Sequence, residues 1–351
     1  MAEGQGSHGG TPAATPKSRG EDCMTRATPL ALCLLLVACR ALPAQETDAA
    51  PQAPRPVAPL GPGDRELGLR HGGLDRRYLV HAPAAKADAP RALVLMLHGG
   101  GGTPDAMEAE YGMDRVADRE DFVVVYPAGT GRLDRRLLTW NAGTCCGWST
   151  ENGVDDVGFL RAVVADVSSR LAIDRARVYA AGHSNGGMMA YRLAAEAGDL
   201  VTAICSVAGG QVCDPPKATA PAVPVLHIHS VDDPRALWDG GLGPPFPLTN
   251  NRVQHPRMAD VLATWVNHDR CQANPKTEPK VNGHGGHTAE RTTWGGGRDG
   301  SEVTLIKLTV AGHGWPGTSK DLPERIVGPK TTVIDASEEA WRFFARFTRR
   351  S

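Results

Sequence analysis

The sequence predicts an α/β fold: one domain in which a mostly parallel central sheet is flanked by helices. Three observations predict it. Six apolar runs of strand length recur along the chain. Helical spacing fills most of the gaps between them. The residue clusters suited to chemistry fall just after the runs, where ligands sit in open parallel sheets. The runs are ALVLMLHG (92–99), FVVVYPAG (122–129), RVYAAGHS (177–184), VTAICSVAG (201–209), VPVLHIHS (223–230) and EVTLIKLTV (302–310). They are continuously apolar rather than alternating, as expected of strands covered on both faces.

The helices follow from spacing. Between Asp155 and Ala172, apolar residues stand at Val157, Leu160, Val164, Val167 and Leu171. That is the i, i+3, i+4 pattern of one helix face. Gly187–Glu196, Arg257–His268 and Ser337–Phe347 are also predicted helices. Asp155 and Asp156 precede the first apolar turn, where an N-cap role accounts for at least one of them.

The N-terminal part is an address rather than a fold. Residues 1–23 are polar, rich in Gly, Pro and Ala, and aperiodic. Met24 is the expected native start, which leaves 1–23 as a non-native extension. Residues 24–39 have the layout of a secretory signal: Arg26 near the start, then an apolar run from Leu30 to Ala38. That run is shorter than the roughly 20 residues needed to span a bilayer. It ends Leu36-Val37-Ala38-Cys39, which resembles a bacterial lipobox with Cys39 as the lipidated residue. The competing expectation is ordinary cleavage, near Ala44. Either way the protein is expected to be exported, to the periplasm or beyond, with any membrane attachment made through the N-terminal lipid alone. Residues 40–66 form a Pro/Ala-rich linker, and the folded domain is expected over 67–351.

Charge narrows the partners. A formal net charge of -1 carries no basic excess, so nucleic acid is not an expected partner. Hydrophobic residues make up 41% of the chain, enough for a sizeable core.

The chemistry starts at Gly182-His183-Ser184-Asn185-Gly186, a G-x-S-x-G pattern between a predicted strand and a predicted helix. A nucleophile elbow needs that context: a sharp turn that lifts the serine oxygen above the sheet. A hydroxyl is a weak nucleophile near neutral pH and needs a base, which in turn needs an orienting group. In this chain order, Ser then acid then His, the acid loop is His229–Gly241, offering Asp232 and Asp233. The last strand runs into TVAGHGWPG, offering His313. His227 and His229 alternate along a strand and could face one side together, but no carboxylate or cysteine completes a metal set. His284 and His287 sit in NGHGGH, read as a loop. An oxyanion hole needs two N–H donors. Asn185, following the serine, is one. The other is expected in Leu97-His98-Gly99-Gly100-Gly101-Gly102, with Gly100 first and Gly101 second.

With these motifs assembled, the chain resembles the polyhydroxybutyrate depolymerase / feruloyl esterase family of secreted α/β-hydrolases. The resemblance covers roughly Leu67 to Arg349. The matching stretches are LHGGGG, TWNAGTCCGWS, VDDVGFLRAVVADV, GHSNGGMMAYRLA, SVAGG, HIHSVDDP, GHGWPG and IDASEEAWRFF. It implies an α/β-hydrolase fold. Aligned on the family's H-G-T-x-D-P loop, it makes Asp233 the acid and Asp232 a solvated neighbour. It supports His313 and places Trp315 near the mouth of the site. His98, Trp238 and Trp315 are the substrate-binding residues it suggests. Ser230 replaces the family's usual glycine, and Arg235-Ala236-Leu237-Trp238 departs from its usual V-P-Y-like segment.

Beyond the leader stand five cysteines: Cys145, Cys146, Cys205, Cys213 and Cys271. An exported chain favours disulfides. The expectation is Cys145 or Cys146 paired with Cys213, or with Cys205; the alternative is a vicinal Cys145–Cys146 bridge. The family often has a cysteine where this chain reads Trp294-Gly295-Gly296-Gly297, which would leave Cys271 unpaired.

The expectation is therefore an exported serine ester hydrolase without cofactor or metal. Its substrates are hydroxyalkanoate esters or oligomers, or, as the alternative, feruloyl or acetyl esters on plant polysaccharide. The chain ends just after the final predicted helix with no separate polymer-binding domain in view, which favours soluble substrates. Rivals of other classes are a serine peptidase, which would normally carry a cap or propeller domain, and a lipid-anchored binding protein with a vestigial site.

Overall fold

The computed structural model describes residues 58–84, 89–245, 251–319 and 323–349. The signal, lipobox and most of the linker expected from the sequence lie outside the described residues. The first strand begins at Gly63, four residues before the expected edge of the domain.

Nine principal strands form the frame: β1 Gly63–His71, β2 Leu74–Ala82, β3 Arg91–Leu97, β4 Val123–Pro127, β5 Ile173–His183, β6 Ala203–Val207, β7 Val225–Ser230, β8 Thr288–Trp294 and β9 Val303–Thr309. Their order across the sheet is β1-β2-β4-β3-β5-β6-β7-β9-β8, and two-residue strands extend the β8 edge. All contacts from β4 through β9 are parallel, whereas β1, β2 and β8 pair antiparallel. The six apolar runs are thus the six parallel strands, an α/β-hydrolase sheet.

Helices cover both faces, as parallel connections require. Three helices, α3 Asp156–Arg170, α4 Asn185–Glu196 and α5 Met258–His268, pack one face around Phe159, Tyr191 and Trp265. Three others, α1 Pro104–Tyr111, α2 Met113–Glu120 and α6 Ala336–Phe344, pack the other around Tyr126, Tyr179 and Phe344. Among the described residues no helix is long and apolar enough to cross a membrane.

The antiparallel β1–β2 hairpin lacks an apolar run because β1 is largely exposed. It is tied to the rest through Arg76 of β2. This buried guanidinium bonds Asp156 Oδ1 at 2.7 Å and Ala128 O at 2.9 Å, and lies 3.7 Å from the centre of the Phe159 ring. Asp156 Oδ2 accepts the Asn141 N–H at 2.8 Å. Asp155 is the N-cap of α3, accepting from the Gly158 N–H at 2.8 Å. The two aspartates therefore have structural roles. Replacing Asp156 with Ala leaves a buried arginine charge without its partner, a change that typically costs about 3–5 kcal/mol. Urea unfolding should show a lowered midpoint with an unchanged slope.

Candidate active site

The strand β5 hands over to α4 at Ser184, whose φ of +53° and ψ of -118° place it in a conformation rarely taken by residues other than glycine. The neighbours leave no alternative. A Cβ on Gly182 would strike Gly186 O, and one on Gly186 would strike Leu97 O. The turn is closed by the Ser184 N–H bonding Val207 O at 2.8 Å. Its side chain is left above the carboxyl ends of the strands.

Two loops converge on it. After β9, His313 brings Nε2 to 2.9 Å from Ser184 Oγ. After β7, Asp233 brings Oδ2 to 2.8 Å from His313 Nδ1. The carboxylate is itself held, with Oδ1 accepting the Arg235 N–H at 2.7 Å and the Ala236 N–H at 2.9 Å. Burial alone would push the Asp233 carboxyl up, but neighbouring His313 and hydrogen bonds from His229 and His313 hold it well below the ordinary carboxylate range.

Asp232 is exposed, the solvated neighbour expected, yet it is also engaged. Its carboxylate accepts the Ser230 hydroxyl and, at 2.7 Å, the Val310 N–H, so it ties the acid loop to the end of β9. Ser230 extends that tie by accepting the Ala311 N–H at 3.2 Å.

His183 links the elbow outward. Its Nε2–H donates to His313 O at 2.6 Å, so Nδ1 accepts from the Tyr111 hydroxyl at 3.0 Å. Asn185 is buried and grips Trp140: Oδ1 accepts the Trp140 N–H at 2.7 Å and Nδ2–H donates to Trp140 O at 3.0 Å. The Trp140 indole then donates to His98 O at 2.9 Å, fixing the glycine loop. Trp140 and Tyr111 were given no role in the sequence analysis. The TWNAG stretch marked Trp140, but its partners are far away in the chain.

Within the glycine loop, the Gly101 N–H donates to Leu138 O at 2.8 Å and the Gly102 N–H to Gly99 O at 2.9 Å. The Gly101 N–H is thus engaged elsewhere. His98 lines the cavity, but both ring nitrogens are committed: Nδ1–H donates to Gly99 O at 2.9 Å and Nε2 accepts from the Gly129 N–H at 3.0 Å. Burial pushes its proton affinity down to about 4, so the ring is neutral and braces the loop.

A cavity of about 330 Å³ opens over Ser184 and His313. Its walls combine aliphatic side chains, including Met107, Met188, Val253 and Ile326, with the glycine loop and His98, His183, His255 and His313. Two tryptophans expected there are elsewhere. Trp315 is 1% exposed and packs on Tyr111, with ring centres 5.1 Å apart and its indole on Ser337 Oγ at 3.3 Å. Its large apolar ring is drawn into the core between α1 and α6. Trp238 turns its ring edge-on to His229, with centres 5.8 Å apart, and packs on the core behind the acid loop. A larger groove of about 660 Å³ between β8 and α6 has no serine, cysteine or histidine in its lining.

Cys145 and Cys146 form a vicinal disulfide in the cavity wall. This overturns the expected pairing with Cys213 or Cys205: Cys205 is packed in the core on the opposite face of the sheet, and Cys213 is free. Cys271 is also free, and a Cβ on Gly297 would come within 2.9 Å of its sulfur. His227 and His229 bond each other at 3.0 Å, and their outer nitrogens go to the Tyr191 hydroxyl and Ala236 O.

Residues 76–274 match the family model described as Esterase PHB depolymerase. The chain belongs to this esterase family. NocK of Nocardia uniformis subsp. tsuyamanensis, an esterase by name, is 31% identical over 303 residues, covering 82% of this chain and 84% of NocK. Feruloyl esterase C of Emericella nidulans is 27% identical over 245 residues, covering 65% of this chain and 78% of that enzyme. Among solved structures, the acetyl xylan esterase from Aspergillus awamori shares the fold with a TM-score of 0.51 at 16% identity, over 74% of this chain and 97% of that one. The chain is accordingly a carboxylic ester hydrolase.

The depressed Asp233 carboxyl has a consequence for stability. A group whose folded value lies below its unfolded value stabilises the fold above the unfolded value of about 3.9, and that contribution is lost as pH falls through the folded value. The stability difference between wild type and Asp233→Asn should be constant above about pH 5 and shrink below about pH 4. Urea unfolding across that range checks it.

Proposed function

We propose that this family member is an exported serine esterase in which Ser184, His313 and Asp233 act as a triad. The observation that carries the reading is the continuous pair of contacts, Ser184 Oγ to His313 Nε2 at 2.9 Å and His313 Nδ1 to Asp233 Oδ2 at 2.8 Å. Ser184 Oγ attacks the ester carbonyl while His313 Nε2 takes its proton. The same nitrogen returns that proton to the departing alcohol, leaving an acyl-enzyme. Water, deprotonated by His313, then releases the acid and restores the serine. Asp233 holds His313 in the tautomer with Nδ1 protonated, and stabilises the imidazolium as it forms. The developing oxyanion is received by the N–H groups of Gly100 and Asn185, each worth about 3 kcal/mol of barrier. No cofactor or metal is needed for these steps.

The substrate class proposed first is hydroxyalkanoate esters or their soluble oligomers. The aliphatic side chains of the walls suit short aliphatic acyl groups. Arg235 is the one Lys, Arg, Asp or Glu among the described lining residues, and an oligomer of a hydroxyacid ends in a carboxylate. The second reading, feruloyl or acetyl esters on plant polysaccharide, is favoured by what the Emericella and Aspergillus enzymes are named for. Export, with Cys39 as the lipidated residue, rests on the leader.

Ser184→Ala should lower hydrolysis of p-nitrophenyl butyrate by at least roughly 10³-fold and abolish fluorophosphonate labelling. Turnover that survives this change would refute the triad. A kcat/KM panel of hydroxybutyrate oligomers, methyl ferulate and acetylated xylan separates the two substrate readings. The first requires the oligomers to rank highest.

A further inference from the structure

Asp233 has a second imidazole beside it that the proposed triad does not use. His229 Nε2 lies 3.3 Å from Asp233 Oδ2, the same oxygen that faces His313. His229 is the near end of a buried chain. Its Nδ1 is 3.0 Å from His227 Nε2, and His227 Nδ1 is 2.9 Å from the Tyr191 hydroxyl. Tyr191, His227 and His229 are all at most 1% exposed.

The direction of every bond in this chain is determined. His229 Nε2 faces two acceptors, Ala236 O at 2.8 Å and Asp233 Oδ2, so it carries the proton. In a neutral ring Nδ1 must then accept, so His227 donates through Nε2. His227 Nδ1 accepts in turn, and Tyr191 is the donor at the far end. Burial, and then the nearby His229, push the proton affinity of His227 well down, which keeps it neutral. The chain runs from Tyr191 in α4 through two residues of β7 to the acid loop. One direction of donation is imposed throughout, and it ends at the His229 Nε2–H, which donates to Ala236 O and faces the carboxylate at 3.3 Å.

We propose that His229 is a positioning residue of the hydrolysis: its Nε2–H, oriented by His227 and Tyr191, holds the Asp233 oxygen that engages His313. This rests on the triad reading above. Without that N–H, the oxygen loses one of the two imidazole N–H groups that face it, and its charge falls more fully on His313. The carboxylate also loses a restraint on its rotation. The other titratable groups facing His229 are His255 and Arg235 at the cavity, His313, and Lys307, its register partner on β9, which is paired with Glu290 at 2.8 Å. Burial holds the proton affinity of His255 down to about 4, so that ring stays neutral near neutral pH.

The test compares His229→Leu, which removes the donor, with His229→Gln, whose amide N–H can reach the same oxygen. Both are assayed on p-nitrophenyl butyrate across pH, beside Ser184→Ala. The expected result for His229→Leu is a kcat lowered about tenfold, the scale of one hydrogen bond to a charged group. KM should stay within about twofold, because the residue does not line the cavity. The acidic limb of kcat/KM should move to higher pH, and His229→Gln should recover most of both changes. A folded His229→Leu enzyme with wild-type kcat and pH profile overturns the proposal, as does a Gln variant no better than Leu. Should the Leu variant fail to fold, Tyr191→Phe decides. A lowered kcat with the limb moved the same way supports the chain, and an unchanged profile overturns it. Turnover persisting in Ser184→Ala refutes the triad and this proposal with it. Loss there beside an unaffected His229→Leu refutes the proposal alone.

Discussion

The structure depends on the absence of side-chain volume where β5 turns into α4. A Cβ on Gly182, Gly186 or Gly209 would collide with Gly186 O, Leu97 O or Ser184 O respectively. Three strands therefore approach the turn at backbone contact distance. That closeness holds Ser184 in its positive-φ conformation, which an isolated turn would abandon at a gain of roughly 1–3 kcal/mol. The strain is borne by packing around the turn, not by the turn itself. Glycine is required here because backbone meets backbone.

Fixing the turn also fixes its neighbours. His183 and Asn185 flank the serine and are both buried. One holds the His313 loop and α1, the other holds Trp140 and, through it, the glycine loop. The proposed nucleophile, base and oxyanion donors are therefore referenced to a single residue triplet. The acid is referenced differently. Asp233 is set by its own loop's N–H groups and by His229, while Asp232 ties that loop to β9. Base and acid meet because β7 and β9 are adjacent parallel strands that end at the same level of the sheet.

What was legible in the sequence was whatever local pattern encodes. The six parallel strands are doubly buried and so continuously apolar, and the elbow is specified within five residues. Ser184, Asp233 and His313 come together because they lie in loops at the carboxyl ends of β5, β7 and β9, which the strand order places within four consecutive parallel strands. The β1–β2 hairpin was missed because an edge ribbon half in water carries no apolar run. Trp315 and Trp238 were misplaced for a related reason. A tryptophan beside a motif has no sequence marker for which side of its loop it faces, and here burial of the ring was met by Tyr111 and by His229. Pairing with Cys205 failed on topology, because Cys205 lies across the sheet from Cys145 and Cys146; Cys213 packs on their own face, and there the vicinal alternative is the one found.

The histidines show how one residue type divides into roles by its surroundings. His98, His183, His227 and His229 have their ring nitrogens occupied by neighbouring atoms, mostly backbone, hydroxyl or each other, and burial disfavours the charged forms of His98 and His227. They act as struts that brace the loops. His313 differs because its ring alone among these five bridges the Asp233 carboxylate and the Ser184 hydroxyl. In the proposed triad, a proton leaving Ser184 has His313 Nε2 within 2.9 Å. The struts around it keep the loops still while it moves, which proximity catalysis requires of its scaffold.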